Sequence, residues 1–212
     1  MTQKGLLLVV SGPSGAGKST VCKRLLGEMP GLALSISVTT RAPRNNEQEG
    51  VNYFFRTPEQ FEQMQNNDEL LEHAHVYGNS YGTPKSYVFD RMEEGRDVLL
   101  EIEMQGALQV KKRFPDGVFI FVVPPSMSEL VVRIRKRGSE SPESLLKRFR
   151  CAYEELGYLD EYHYLVVNED VDLAVQRIKA IIYAEKCRVS RNEELRKALL
   201  EEVETYDVPT HG

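Results

Sequence analysis

The segment at residues 12–19 constrains the fold of this chain more than any other part of its sequence. It reads Gly-Pro-Ser-Gly-Ala-Gly-Lys-Ser and matches the pattern G-x-x-x-x-G-K-[ST]. The apolar segment 5–11 before it predicts a buried strand, and the spacing of Lys18–Glu28 after it predicts a helix. Glycines let the backbone curl so that N–H groups point at phosphate oxygens, and the helix turns its positive end toward the same anion. Strand, loop and helix in this order predict a nucleoside triphosphate site.

Residues within this loop have separate expected roles. Lys18 is placed to reach the β and γ phosphates, and the Ser19 hydroxyl to bind Mg²⁺. A glycine-rich turn that binds nothing is the alternative. GTPases, ATPases and small-molecule kinases share the motif, and the lack of an Asn-Lys-x-Asp sequence disfavours a GTPase switch. The predicted ATP-binding residues are Gly12, Pro13, Ser14, Gly15, Ala16, Gly17, Lys18, Ser19 and Thr20.

Length and charge narrow the class of protein further. The chain has 212 residues, 27 Lys and Arg against 32 Asp and Glu, and a formal net charge of −5. This length fits one domain with small inserted subdomains, and the acidic balance argues against a general nucleic-acid binder. Three scattered cysteines without a CxxC pair argue against disulfides and structural zinc. The only early apolar run is too short for a membrane span, so we expect a cytoplasmic protein.

Strand-like and helix-like segments alternate through the second half of the chain, a pattern typical of α/β proteins with a parallel sheet flanked by helices. We predict strands at residues 97–102, 117–123 and 162–167. A short helix follows Gln105, and a Ser126-x-x-Glu129 capping box opens another. Further helical segments are predicted at 130–137, 143–157 and 171–203.

The first half is less regular after residue 31. Thr57, Pro58 and Gln60 have the spacing of a helix start with a capping box. Residues 79–84, Asn-Ser-Tyr-Gly-Thr-Pro, predict a turn rich in hydroxyl groups. An apolar segment is expected at 32–40 and short β-like pieces at 52–56 and 70–76.

Several charged side chains are candidates for binding a second substrate. Arg41 and Arg44 lie three residues apart, and two guanidinium groups so placed suit a phosphate better than a carboxylate. Glu101 and Glu103 end a predicted buried strand, where ligands of open α/β sheets bind. Glu72 follows an apolar pair, and a solvated carboxylate at a sheet edge is the alternative interpretation there.

Seven cations fall between residues 133 and 150 of a chain that is acidic overall. A solvated pair of basic helices would explain some of them. It would not explain why Gly138, Ser139 and Ser141 interrupt the cluster. Such an interruption suits a moving cover over a site for phosphates. The cations are Arg133, Arg135, Lys136, Arg137, Lys147, Arg148 and Arg150.

From residue 5 to about residue 186 the chain resembles the guanylate kinases, which transfer the γ-phosphate of ATP to GMP. The resemblance lies in the loop at 11–20 and in the ordered motifs Thr-Thr-Arg-x-Pro-Arg at 39–44, Gly-Asn-x-Tyr-Gly at 78–82, Met-Gln-Gly at 104–106, Arg-Gly at 137–138 and Val-Asn at 167–168. It implies a P-loop NTPase core of α/β class at residues 5–34, 85–136 and 158–205. A small mixed α+β subdomain at 35–84 would bind GMP, and residues 137–157 would form a helical lid.

The same resemblance implies roles for individual residues. Lys18, Arg44, Arg137 and Arg148 would act in the transfer step, and Asn168 would contact the ATP base. Glu101 would help hold Mg²⁺, directly or through water, beside Ser19. Arg41, Arg44, Tyr53 and Tyr81 would hold the GMP phosphate, while Ser37, Glu72, Thr83 and Glu103 would read guanine. The family often has Asp where this chain has Glu103.

Guanine recognition by carboxylates also follows from chemistry, because guanine presents N1–H and 2-amino donors and an ionised carboxylate only accepts. The partners that the resemblance implies are ATP, GMP and dGMP, with no nucleic acid or membrane. Self-association into a homo-oligomer through the charged tail is left open. Two alternatives stay open. One is a non-catalytic interaction module of guanylate-kinase type, and the other is a P-loop kinase for another nucleoside monophosphate.

Overall fold

The computed structural model of this chain describes residues 4–76, 78–136 and 142–205. Its first sheet has five strands in the order β2-β7-β1-β8-β9, and every neighbouring pair is parallel. Crossover helices connect the strands, so the predicted α/β class is confirmed. The strands are β1 (Leu7–Ser11), β2 (Leu32–Leu34), β7 (Asp97–Glu101), β8 (Val118–Val123) and β9 (Tyr164–Val167).

Helices cover both faces of this sheet. Successive side chains of a strand point to opposite faces, and in β1 the side chains on both faces are apolar and need to be buried. Leu8 and Val10 of β1 pack with α1 (Lys18–Glu28) and α7 (Val171–Lys186). Leu7 and Val9 pack on the other face, against α3 (Lys85–Glu93) and α4 (Met104–Arg113). With apolar side chains buried on both faces, β1 forms the centre of the core.

A second, mixed sheet has four strands in the order β4-β3-β6-β5. Phe61 of the neighbouring helix α2 (Pro58–Asn66) packs there against Val38 and Leu70. The predicted capping box of α2 is confirmed, since Thr57 Oγ1 accepts from the Gln60 N–H and Gln60 Oε1 accepts from the Thr57 N–H. The strands are β3 (Val38–Thr39), β4 (Phe54–Phe55), β5 (Leu70–Val76) and β6 (Asn79–Pro84).

The apolar segment 32–40 contains two short strands, β2 of the parallel sheet and β3 of the mixed sheet. One expectation for this region was wrong. Residues 79–84 form strand β6 instead of a turn, paired antiparallel with β5 and β3. Glycine and proline lower strand propensity, but backbone pairing on both sides outweighs that preference here.

The remaining helices lie toward the C-terminus. Leu130 and Ile134 of α5 (Met127–Lys136) pack against Ala152 of α6 (Pro142–Leu156). The helical region predicted at 171–203 is divided into α7 and α8 (Glu193–Thr205) by a single 3₁₀ turn, Val189–Arg191. Among the described residues, no helix combines the length and the apolar character that crossing a membrane requires.

Candidate active site

The loop between β1 and α1 needs its glycines for both backbone conformation and space. Gly12, Gly15 and Gly17 all have positive φ, of 141°, 98° and 90°. A Cβ at Gly12 would lie 2.1 Å from the Val122 carbonyl oxygen, and one at Gly17 would lie 2.3 Å from Asn168 Nδ2. A side chain at either position would therefore deform the loop.

The loop is braced from β9 as well as from within. The Ala16 N–H donates to the Pro13 carbonyl at 3.0 Å, and Asn168 Nδ2 donates to the Ala16 carbonyl at 2.7 Å. Asn168 is buried at the carboxyl end of β9, so its side-chain amide holds the loop. Beside it, a cavity of about 280 Å³ is lined by Gly15, Gly17, Thr20, Arg133, Lys136, Asn168, Glu169 and Val171.

At the start of α1, two side chains have hydrogen-bond partners at the carboxyl ends of β1 and β7. Lys18 Nζ donates to the Gly12 carbonyl, and Ser19 Oγ donates to Glu101 Oε1 at 2.5 Å. Glu101 reaches the loop because β1 and β7 are parallel neighbours with Val10 in register with Glu101. The structure thus brings together the two residues that the sequence assigned to Mg²⁺.

A cavity of about 820 Å³ opens between the two sheets. Strand ends and the start of α4 supply its acidic wall, and Cys151, Glu154 and Glu155 enter from α6. Glu103 is the N-cap residue of α4 but makes no capping hydrogen bond. The sequence-predicted residues that line this cavity are Ser37, Tyr53, Glu72, Tyr81, Glu101 and Glu103.

Glu72 is the most buried carboxylate of this cavity, with 6% of its surface exposed. The Thr83 hydroxyl donates to Glu72 Oε1 at 2.7 Å. Burial raises the pKa of Glu72, and the hydrogen bond from Thr83 opposes part of that rise. The alternative interpretation of Glu72 as a solvated edge carboxylate is therefore wrong.

Two residues near Glu72 had no role assigned from the sequence. A Cβ at Gly106 would lie 2.9 Å from Glu72 Oε2, so a larger residue there would require the carboxylate to shift. Gln109 exchanges two hydrogen bonds with the backbone of His73, at 3.0 and 3.1 Å, and so ties α4 to β5. Gly106 lies in the quoted Met-Gln-Gly motif, whereas nothing in the sequence distinguishes Gln109.

The arginine pair lies outside the cavity-lining set, at its Tyr53 side. Arg41 donates to both carboxylate oxygens of Glu47 at 2.8 and 2.9 Å, and its guanidinium lies 5.4 Å from the centroid of the Tyr53 ring. The Tyr53 and Tyr81 rings meet edge to face at 6.1 Å. Glu47 also accepts from the Arg44 N–H at 2.9 Å, so this unpredicted residue shapes the arginine loop.

Arg41 and Glu47 each shift the pKa of the other. The hydrogen bond with Glu47 raises the pKa of Arg41, with a further contribution from Tyr81. The Arg41 guanidinium in turn lowers the pKa of Glu47. The Arg44 side chain is on an exposed residue of the same loop. An arriving phosphate would find one paired and one exposed arginine.

The basic helices approach the loop from the opposite side. Arg148 of α6 donates to Ser14 Oγ at 3.5 Å, and Arg133 of α5 donates to the Ala16 carbonyl at 3.5 Å and to Glu129 at 2.9 Å. Arg148 is thus close to the loop between β1 and α1. Arg137 lies outside the described residues.

Comparison with known proteins agrees with this arrangement. The family model for guanylate kinase matches residues 4–185. A guanylate kinase of Caldanaerobacter subterraneus subsp. tengcongensis is 58% identical over 94% of this chain and 97% of the relative, and one of Clostridium perfringens strain 13 is 57% identical over 95% and 92%. The crystal structure of guanylate kinase from Anaplasma phagocytophilum has a TM-score of 0.75 at 36% identity, covering 95% of this chain and 96% of that chain. This chain belongs to the guanylate kinase family.

Proposed function

We propose that this chain transfers the γ-phosphate of ATP to GMP, giving ADP and GDP. The observation that carries the proposal is the buried Glu72 carboxylate, which Thr83 orients beside the large cavity. Guanine offers N1–H and its 2-amino group to such an acceptor. Adenine has a bare acceptor at N1 and would leave the carboxylate unpaired, a mismatch that costs several powers of ten in discrimination. GMP is the acceptor that fits.

The rest of the acceptor nucleotide follows from this placement. Ser37 and Glu103 line the same cavity as Glu72 and would complete the contacts with the base. The phosphate of GMP would lie at the Tyr53 side of the cavity, where Arg41 is stacked and Arg44 is exposed. We include dGMP as an acceptor of the same base chemistry. Arg41, Arg44, Tyr53 and Tyr81 are the proposed phosphate contacts.

The transfer step needs positioning and charge stabilisation more than covalent chemistry. Charge spreads over the three equatorial oxygens of the transferred group, where cations stabilise it. Lys18 sits in the loop, Arg148 contacts Ser14 of that loop, and Arg44 comes from the acceptor side. We assign Arg137 to the same task by family resemblance alone. No covalent enzyme intermediate is required.

Mg²⁺ is part of the proposal, and the residues present fit it. Ser19 and Glu101 supply two oxygen ligands 2.5 Å apart at the phosphate loop. The described residues contain no group of three or more His, Cys, Asp or Glu side chains suited to a metal. Mg²⁺ is usually bound by one or two protein oxygens together with phosphates and water, so a small set suffices. When bound with ATP, it neutralises charge on the phosphate oxygens.

The division of the chain into a core, a GMP-binding subdomain at 35–84 and a lid at 137–157 belongs to the same proposal. The separate mixed sheet and the packing of α5 on α6 support it. Closure of the GMP-binding subdomain and of the lid over the core would exclude water, which otherwise competes with GMP for the γ-phosphate. We also propose a cytoplasmic location, supported by three free cysteines. Self-association through the C-terminal helix α8 is a further hypothesis, which the exposed leucines of α8 support.

An ADP-release assay with ATP and Mg²⁺ across GMP, dGMP, AMP, CMP and UMP tests the proposal. We expect turnover with GMP and dGMP and none with AMP. No turnover with any acceptor would favour a non-catalytic interaction module, and preference for another nucleotide would favour a different monophosphate kinase. As a matched variant, Lys18→Ala should lose transfer while calorimetric GMP binding persists. Loss of GMP binding instead would contradict the division into two sites.

A further inference from the structure

Glu155 is a cavity carboxylate that makes no contact with ATP, GMP or Mg²⁺ in the proposed function. It lies one residue before the end of α6 and lines the large cavity together with Cys151 and Glu154, at the spacing of one helix face. Ala152, on the adjoining side of α6, packs onto Leu130 and Ile134 of α5. Glu155 therefore belongs to the cavity wall that moves with the proposed lid.

One oxygen of this carboxylate is unsatisfied. Glu155 Oε2 is buried and has no hydrogen-bond partner among the described residues. Burial raises the pKa of the Glu155 carboxyl, and the negative charge of Glu103 adds to the rise. A buried acceptor without a donor costs free energy, which a ligand donor would recover.

The surroundings of Glu155 locate it along the cavity. Glu103 raises its pKa and Lys18 lowers it, so both charges act on the same carboxylate. Glu103 is at the proposed base-reading end, and Lys18 is at the transfer end. Burial raises the pKa of Tyr162 to about 12, and the negative charges of Glu155 and Glu103 add to the rise. Tyr162 is therefore also near Glu155. In a nucleoside monophosphate, the ribose is the part that connects the base to the phosphate.

The chemistry of GMP restricts which of its groups can meet a carboxylate. Phosphate oxygens repel it, because both carry negative charge. The N–H donors of guanine are taken by Glu72 and Glu103 in the proposed function. The remaining donors are the ribose hydroxyls, and a carboxylate has acceptor sites for both of them.

We propose that Glu155 is a further acceptor-binding residue that accepts hydrogen bonds from the ribose hydroxyls of GMP when α6 closes over the cavity. The inference rests on the proposed function and extends it by giving the lid a contact with the acceptor nucleotide. The cations of the lid would bind phosphates. A hydrogen bond from the ribose to Glu155 would favour closure only when a ribonucleoside occupies the acceptor site.

The test compares wild type, Glu155→Gln and the matched control Glu143→Gln, which changes an exposed carboxylate in the first turn of the same helix. Each is assayed with GMP, 2′-deoxy-GMP and 3′-deoxy-GMP at saturating ATP, and GMP binding is measured by calorimetry. We expect Glu155→Gln to raise the KM and Kd for GMP about tenfold, as for loss of a charged hydrogen bond. The KM for ATP should stay unchanged, and the thermal midpoint should not fall. The preference for GMP over at least one deoxy analogue should shrink by the same factor, and Glu143→Gln should behave as wild type.

Two results would overturn the ribose contact. One is an unchanged preference between GMP and both deoxy analogues in Glu155→Gln, including the case in which all three weaken equally. The other is an equal effect of Glu143→Gln. Both presuppose a wild-type enzyme that phosphorylates GMP. A wild type that phosphorylates no acceptor would overturn the proposed function itself, and the two failures are thus distinguishable.

Discussion

Glu72 and Thr83 face each other across the antiparallel pair of β5 and β6, and the Thr83 hydroxyl donates to Glu72 Oε1 at 2.7 Å. A register irregularity between Leu70 and Glu72 precedes this pairing. Such an irregularity re-aims side chains and is over-represented near active sites. The buried carboxylate is thereby fixed before any nucleotide arrives.

The pH dependence of stability should reveal this buried carboxylate. Because burial raises the pKa of Glu72, the folded chain binds its proton more tightly than the unfolded chain. The stabilising contribution of protonated Glu72 is complete below the ordinary carboxyl pKa and is lost as pH rises through the raised pKa. Urea unfolding of wild type and Glu72→Gln from pH 4 to pH 8 measures it.

We expect the free energy of unfolding of wild type, relative to Glu72→Gln, to decrease as pH rises through this window. A difference that stays constant with pH would contradict the buried, ionisable state of Glu72. The KM for GMP of wild type should rise on acidification, because the protonated carboxyl accepts less well from guanine. Glu72→Gln should lose this dependence along with most of its selectivity for guanine.

Gly106→Ala should weaken GMP binding without affecting ATP. The added Cβ would lie 2.9 Å from Glu72 Oε2 and would displace the carboxylate. We expect the KM for GMP to rise about tenfold, the loss expected for one charged hydrogen bond. Gly27→Ala is the control, since nothing lies within 4 Å of a Cβ at this helical position. It should leave kinetics unchanged and raise stability by about 0.5–1 kcal/mol.

Glu101→Gln should raise the Mg²⁺ requirement. Ser19 Oγ donates to Glu101 Oε1, so loss of the charge removes either a ligand or the group that orients Ser19. Changes of this kind cost about 10–100-fold in metal affinity. A Mg²⁺ titration of the rate, with Mn²⁺ electron paramagnetic resonance in the presence of ADP, measures the shift. Glu93→Gln, at an exposed pair with Lys4, should titrate as wild type, and an unshifted Glu101→Gln would remove Glu101 from the metal site.

Arg148→Ala should slow phosphoryl transfer. Its guanidinium reaches Ser14 of the phosphate loop at 3.5 Å, and arginines at this step contribute about 10³-fold or more in rate. Rapid-quench single turnovers measure the step directly. Arg150→Ala, an exposed cation of the same helix, serves as the control and should stay near wild type. A wild-type rate in an Arg137→Ala, Arg148→Ala double variant would refute the lid's role.

Local features were predictable from the sequence because neighbouring residues decide them. Lys18–Glu28 is a helix with the predicted bounds, and the capping box at Thr57 forms as its spacing predicts. The glycines of residues 12–17 have the positive φ values that a phosphate loop requires. Each of these depends on contacts within a few positions along the chain.

Other features depend on partners distant in sequence. Strand β6 contradicts its own turn-like composition because β3 and β5 pair with it. Gln109 holds β5 through the backbone of His73, 36 positions away, and no local pattern distinguishes it. The partnerless oxygen of Glu155 likewise exists only where α6 meets the cavity.

The sequence by itself determined the α/β class and the glycine-rich loop, and its resemblance to a family supplied the acceptor residues that are proposed. Only the tertiary structure decided that Glu72 is buried against Thr83, that Gly106 leaves room for it and that Glu101 meets Ser19. The physical reason is the range of the interactions. Backbone conformation and helix caps are set by adjacent residues, whereas burial and carboxylate partners are set by how separate strands and helices pack.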